Sequence, residues 1–232
     1  MNKKTSVLFF FVLVTVGRLF GQETDFGIWT DIGIEKKLGK WALESNAQLR
    51  LQDDASTVGR VSMDIGASYR IIKPVSVGVA YEYMSFYDSK YDDYQPRQRY
   101  IAYVRGKQKI GNFTFSLRER FQRTIKDESN RLLSSGKYDT YKINPEWTWR
   151  NRLGVGYNIP GLSVRPSLTF ETFYQLNNPD GNRFDKLRYM LSLEYALTKK
   201  HSLEVFGLMD REINVKSPLT RYVTGCGYQF SF

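Results

Sequence analysis

His201 is the only histidine in the 232-residue chain, and it follows Lys199 and Lys200 with no carboxylate preceding it within reach. A nucleophilic serine needs a neighbouring base to take its proton, and imidazole-based zinc or iron sites need more than one ring. One histidine, read as a solvated residue of a short turn, supports neither. Cys226 is the single cysteine, which excludes an internal disulfide and a thiolate metal cluster. Asp88, Asp92 and Asp93 share a polar stretch with Tyr87, Tyr91 and Tyr94. Paired carboxylates can act as acid and base, but this composition also describes a hydrated loop rich in turn formers, and the spacing does not fit an EF-hand loop. We therefore assign no catalytic, cofactor or metal residue, and the chain is not expected to be an enzyme.

The ionisable residues that do recur with order are arginines. At two-residue spacing, Arg118, Arg120 and Gln122 share one face, as do Arg150 and Arg152. Arg165 with Glu171, Arg188 with Glu194, and Glu44 with Arg50 extend the pattern. Were these residues to point into an enclosed space, they would need counter-charges or water. Two roles then compete: Arg–carboxylate networks that fill and stiffen an interior, or the lining of a narrow pore with anion preference.

The elements that must position them are strands. Trp41, Leu43, Ala47, Leu49 and Leu51 fall on one face, and Glu44, Asn46, Gln48, Arg50 and Gln52 on the other. Such alternation gives a strand with one apolar and one polar side. The same pattern runs through 60–70, 75–83 and 187–195, and more weakly through 26–36, 97–106, 112–124, 146–157, 162–174, 202–211 and 220–232. These stretches number eleven. Most are 9 to 14 residues long, longer than the roughly 5–6 of soluble strands and suited to tilted membrane strands. Short connections (38–40, 71–74, 107–111, 158–161, 197–200) alternate with longer polar ones (53–59, 87–96, 125–145, 175–185, 212–219), as in barrels with short periplasmic turns and longer outer loops. Aromatic residues gather at both ends of the apolar faces, with Trp41, Tyr69, Tyr157, Tyr195 and Phe232 near short turns and Tyr81, Tyr83, Trp147, Trp149 and Tyr189 near long ones, as interfacial girdles do. The expected fold is all-β, an antiparallel up-and-down transmembrane barrel of ten to twelve strands, with twelve favoured because an even count returns both termini to one side.

Residues 1–21 carry a basic start (Lys3, Lys4), an apolar run from Val7 to Val16 and a small residue, Gly21, before Gln22. They read as a secretory signal peptide, leaving 22–232 as one barrel domain. Removing Lys3, Lys4 and Arg18 takes the net charge from +10 to +7. No apolar run of 18 residues follows Gln22, so helical spans are not expected. At 15% aromatic residues the chain is not disordered. Its basic residues are dispersed, which favours contact with anionic lipid headgroups over nucleic acid. Oligomeric state is left open.

The chain closes Tyr228-Gln229-Phe230-Ser231-Phe232. This resembles the terminal strand signal that outer-membrane barrels present to their assembly machinery. Phe26-Gly27-Ile28-Trp29, Glu35-Lys36-Lys37-Leu38, the stretch Leu117 to Arg123, Trp149 to Leu153, Pro166 to Phe173 with Glu171, and Gly227 to Phe230 together resemble the domain-of-unknown-function 2490 family, outer-membrane proteins found mainly in Bacteroidota. The likeness spans about Asp25 to Phe232. It implies a bacterial outer-membrane barrel and no activity. A structural or interaction barrel, or a narrow porin-like pore, is the expected role; a lipid-modifying enzyme and a soluble ligand-binding barrel are the alternatives.

Overall fold

The structure, a computed structural model, describes residues 23–133 and 136–232. The predicted signal segment lies outside the described residues. Among the described residues eleven strands follow one another: β1 (Glu23–Leu38), β2 (Trp41–Gln52), β3 (Thr57–Ile72), β4 (Val75–Asp88), β5 (Asp93–Ile110), β6 (Phe113–Lys126), β7 (Glu146–Tyr157), β8 (Val164–Gln175), β9 (Arg183–Ala196), β10 (His201–Glu212) and β11 (Leu219–Ser231). Each pairs with its chain neighbours, and β1 closes the barrel on β11.

That closing pair is parallel, with Glu23 beside Leu219 and Glu35 beside Ser231. Twelve strands is therefore corrected to eleven, and a wholly antiparallel barrel to one with a single parallel seam. The reason is topological. Hairpin connections reverse the chain at every step, so an odd count leaves the first and last strands pointing the same way. The demand for an even count falls with it.

Several strands run past their predicted ends. β5 spans 18 residues and β3 spans 16, where alternation alone marked 97–106 and 60–70. Backbone pairing carries the polar strand ends beyond the apolar belt, because each N–H and C=O gains a partner by continuing. The two loops expected at 53–59 and 87–96 shorten accordingly to 53–56 and 89–92. At the opposite rim Gly39 and Gly111 take φ of +64° and +58°, a turn conformation that glycine adopts without a Cβ penalty.

The faces sort as alternation requires. Met63, Ile65, Val79 and Leu191 are each more than 60% exposed on the outer surface, a continuous apolar coat of the kind that marks a membrane or partner surface. Aromatic pairs flank it, with Trp41–Tyr69 and Phe113–Tyr157 at the short-turn rim and Tyr81–Tyr100 and Phe170–Tyr189 toward the other. One polar row interrupts the coat. Glu119, Asn151 and Thr172 lie side by side on β6, β7 and β8; Trp149 Nε1 donates to Glu119 at 2.7 Å and Asn151 donates to Thr172 at 3.2 Å. Inside, the only hydrophobic cluster among the described residues is Trp29, Phe206, Leu208 and Val223, backed by Met190. It makes one wall of the lumen, on β1, β10 and β11, apolar.

Candidate functional site

Inward positions on β6 and β7 place Arg120 opposite Arg150 and Arg118 opposite Arg152. The second of these rows continues from strand to strand: Arg105, Arg118, Arg152, Glu171, Arg188, Asp210, Arg221 and Asp25 are successive cross-strand neighbours on β5 to β11 and β1. Three cations are followed by alternating signs, so the row is a charge ladder around most of the wall. Glu171 is its pivot and is 2% exposed. Arg118 donates to it at 2.9 Å and Arg150 at 3.0 Å, and Arg188 lies 3.9 Å away. Arg188 also donates to both Asp210 oxygens, at 2.5 and 2.6 Å, a bidentate geometry that fixes a guanidinium. Arg221 closes the ladder on Asp25 across the parallel seam.

A second cluster stands on β3 to β5. Glu82, 7% exposed, accepts from Arg60 at 2.8 Å and from Arg99 at 2.9 Å. Between the clusters Trp29 offers its ring as a plate, with Arg50 3.6 Å and Arg188 4.9 Å from its centroid, a contact a delocalised cation makes well.

These walls enclose a lumen cavity of about 460 Å³. Thirteen basic and six acidic side chains line it, with Glu171 buried behind. Arg50, Arg97, Arg120, Arg152 and Lys186 make no ion pair among the described residues, against only Asp64 and Asp185 of the lining acids. The arrangement is an enclosed, basic, polar space with more guanidinium than carboxylate. Among the described residues that line it there is no histidine and no serine–base pair.

Of the residues singled out in the sequence, Glu44, Arg50, Arg118, Arg120, Arg150, Arg152 and Arg188 line this cavity, and Glu171 ties three of them together. Arg165 and Glu194 pair with each other nearer the short-turn rim. The partnerships differ from the same-strand groupings. Glu44 binds Arg105 at 3.2 Å, not Arg50, and Arg188 serves Glu171 and Asp210, not Glu194. Arg60, Glu82, Arg99, Arg105, Asp210 and Trp29 were not singled out, although each sits at the same two-residue spacing on a polar face.

At the long-loop rim the described residues between β6 and β7 fold toward the loop between β4 and β5. Arg131 pairs with Asp88 and, at 3.0 Å, with Asp139, and its guanidinium lies 3.9 Å from the Tyr141 ring centroid. Tyr141 in turn faces Arg97 and Lys126, which line the cavity, so this loop is tied to the lumen mouth. Hydrogen bonds from Lys90 and Tyr91, at 2.7 and 2.6 Å, hold the Asp139 carboxyl down from 3.8 to about 2. The acids once considered for acid–base work are engaged locally: Asp92 accepts from Tyr87 at 2.7 Å and Asp88 from Arg131.

His201 is placed at the short-turn end as expected, but as the half-buried first residue of β10, not as a solvated turn residue. Alternation turns it outward, where Nδ1 lies 2.6 Å from the Tyr228 hydroxyl and the ring stacks on Phe230. Phe230 stacks on Phe232 in turn, so Tyr228, Phe230 and Phe232 form an outward aromatic row ending the barrel.

The sequence matches the profile of a family described as a protein of unknown function, DUF2490, over residues 26–230. No curated protein matches the chain. Among solved structures, a NanC porin superposes with a TM-score of 0.50 at 10% identity, covering 80% of this chain and 85% of that one. The β-domain of the Bordetella autotransporter BrkA gives 0.49 at 11% identity, covering 85% and 86%. At such identities the likeness is one of fold, a porin-like barrel.

Proposed function

This chain belongs to the DUF2490 family, whose function is unknown, and we propose that it serves as a non-catalytic outer-membrane barrel forming a narrow, anion-preferring conduit for small solutes. The observation that carries the reading is the lumen charge: thirteen basic side chains against six acidic around one cavity, with Arg50, Arg120 and Arg152 free of carboxylate partners among the described residues. Rings of fixed cations lower the barrier for anions and raise it for cations. Low-dielectric walls strengthen that field relative to open water. The exposed apolar coat and its aromatic borders support a membrane setting, with lipids as the surrounding partner and the aromatic C-terminal row as the segment offered to assembly machinery.

Single-channel recording in planar bilayers tests this. Folded protein is expected to conduct weakly and, under a salt gradient, to show a reversal potential of the sign set by chloride. Replacing Arg50, Arg120 and Arg152 together by Gln is expected to move that potential toward zero. Absence of current through protein of verified fold, or cation preference, overturns the proposal.

A further inference from the structure

Arg118, Arg120, Arg150 and Arg152 form a rectangular block on two adjacent strands, each guanidinium stem rooted in paired backbone. Neighbours across a strand pair stand roughly 5 Å apart and diagonal ones about 7 Å, so all four forks reach a common space. One carboxylate, Glu171, answers them. It accepts from Arg118 and Arg150 and leaves the diagonal pair. Arg120 makes no hydrogen bond or ion pair to any described residue, and its Nε is shielded from solvent without a partner. Arg152 makes only long contacts, 3.5 Å to Thr169 Oγ1 and 3.6 Å to Met190 Sδ. Glu171 is the one carboxylate among the described residues that forms an ion pair with any of the four cations, and Asp64, which lines the same cavity, pairs with none of them. Buried guanidinium donors without acceptors are costly, and the favourable completion is an anion from outside.

We propose that this block is a binding site for a tetrahedral dianion, inorganic phosphate or a small phosphate monoester, bound chiefly by Arg120 and Arg152. Tetrahedral oxygens point in several directions and accept from forks on both strands at once, whereas a planar carboxylate offers two oxygens in one plane. The Arg–phosphate match needs no proton transfer and breaks no bond, so the site binds and releases its anion unchanged. It faces the lumen, away from the apolar coat, which points to a dissolved anion instead of a lipid headgroup. This inference rests on the lumen being reachable by solute, as the conduit reading requires.

Calorimetric titration of the folded protein in detergent micelles at pH 8, with inorganic phosphate, acetate and a short-chain phosphatidic acid as probes, is the test. Phosphate is expected to bind at least tenfold more tightly than acetate. The Arg120→Gln/Arg152→Gln double variant is expected to lose at least tenfold in phosphate affinity, and Arg165→Gln none. The Arg120→Lys/Arg152→Lys variant keeps the charge without the fork and is expected to fall between; it also carries the test if the Gln pair does not fold, folding being read from the heat-dependent gel shift. Equal binding of phosphate and acetate, unchanged affinity in both double variants, or binding of phosphatidic acid alone overturns the site. Current measured on the same preparation separates the two readings: phosphate binding without conductance overturns only the conduit, and conductance without phosphate preference overturns only the site.

Discussion

Thr30 on β1 lies beside Cys226 on β11 in the parallel register, and both face outward. Thr30→Cys therefore places a second thiol next to the native one. Neighbouring strands stand about 4.8 Å apart, inside the Cα separation of roughly 4.4–6.8 Å that disulfides span, and a short thiol-bridging reagent covers any wider Cβ spacing. The link would close a loop of about 200 residues, so the chain-entropy relation gives a stabilisation of roughly 5 kcal/mol before strain. The assay is oxidation of the folded protein followed by boiling and non-reducing electrophoresis, with thiol titration to confirm that both sulfurs are consumed. Val205→Cys is the positive control, because Val205 faces Cys226 across the antiparallel β10–β11 pair. Ile34→Cys is the negative control, since Ile34 pairs with Phe230, four residues or about 13 Å along the strand. Linkage in the Val205 variant but not in the Thr30 variant, with either reagent, would refute the parallel seam and with it the eleven-strand count.

Three further outcomes are expected. Glu171→Gln leaves Arg118, Arg150 and Arg188 around a neutral side chain that is 2% exposed in the parent; breaking a buried ion cluster costs about 3–5 kcal/mol, read as a lowered urea midpoint by tryptophan fluorescence, and a change below about 1 kcal/mol would contradict the pivot role. Glu119→Gln keeps an acceptor for Trp149 while removing a charge from the middle of the lipid-facing surface; a gain of about 1 kcal/mol in bilayers is expected, and a loss there would argue against placing that row in the hydrocarbon region. The Asp139 carboxyl titrates at about 2 instead of 3.8, so its contribution to loop closure is complete above pH 4 and is lost as pH falls toward 2. Hydrogen exchange of the amides of 127–133 and 136–144, corrected for intrinsic rate, should stay constant from pH 7 to 4 and rise below it, and Asp139→Asn should exchange fast throughout.

Much of the barrel was legible because alternation is a local property. Trp41 to Gln52 declares its two faces without reference to any other strand, and β2 has those bounds in the structure. Seven of the ten proposed lumen residues line the cavity for the same reason. What alternation cannot supply is register and closure. Which carboxylate meets which arginine depends on offsets between strands, so Arg165 and Arg188 were grouped with carboxylates other than the ones they meet. Closure depends on a pairing between chain ends, encoded by no local pattern in β1 or β11. Trp29 shows a third limit. Its residue type gives no sign of the role, and only the inward register of β1 makes its ring a plate for Arg50 and Arg188.

The charge ladder from Arg105 to Asp25 also bears on how the protein reaches its fold. Moving any one hairpin by a single residue turns every side chain on that strand through the wall. On β6 that slip would send Arg118 and Arg120 into the lipid face, at about 2–4 kcal/mol for each cation near the midplane, and bring Leu117, Glu119 and Phe121 into the lumen. A slip of two residues keeps the faces but, in one direction, sets Ser116 opposite Arg152 and moves Arg118 opposite Arg150, one rung away from Glu171. Eight strands share the row, so an offset anywhere is felt by the rungs on both sides. The ladder thus acts as a proofreading device for assembly, making the correct offset of each strand a condition for the comfort of the next.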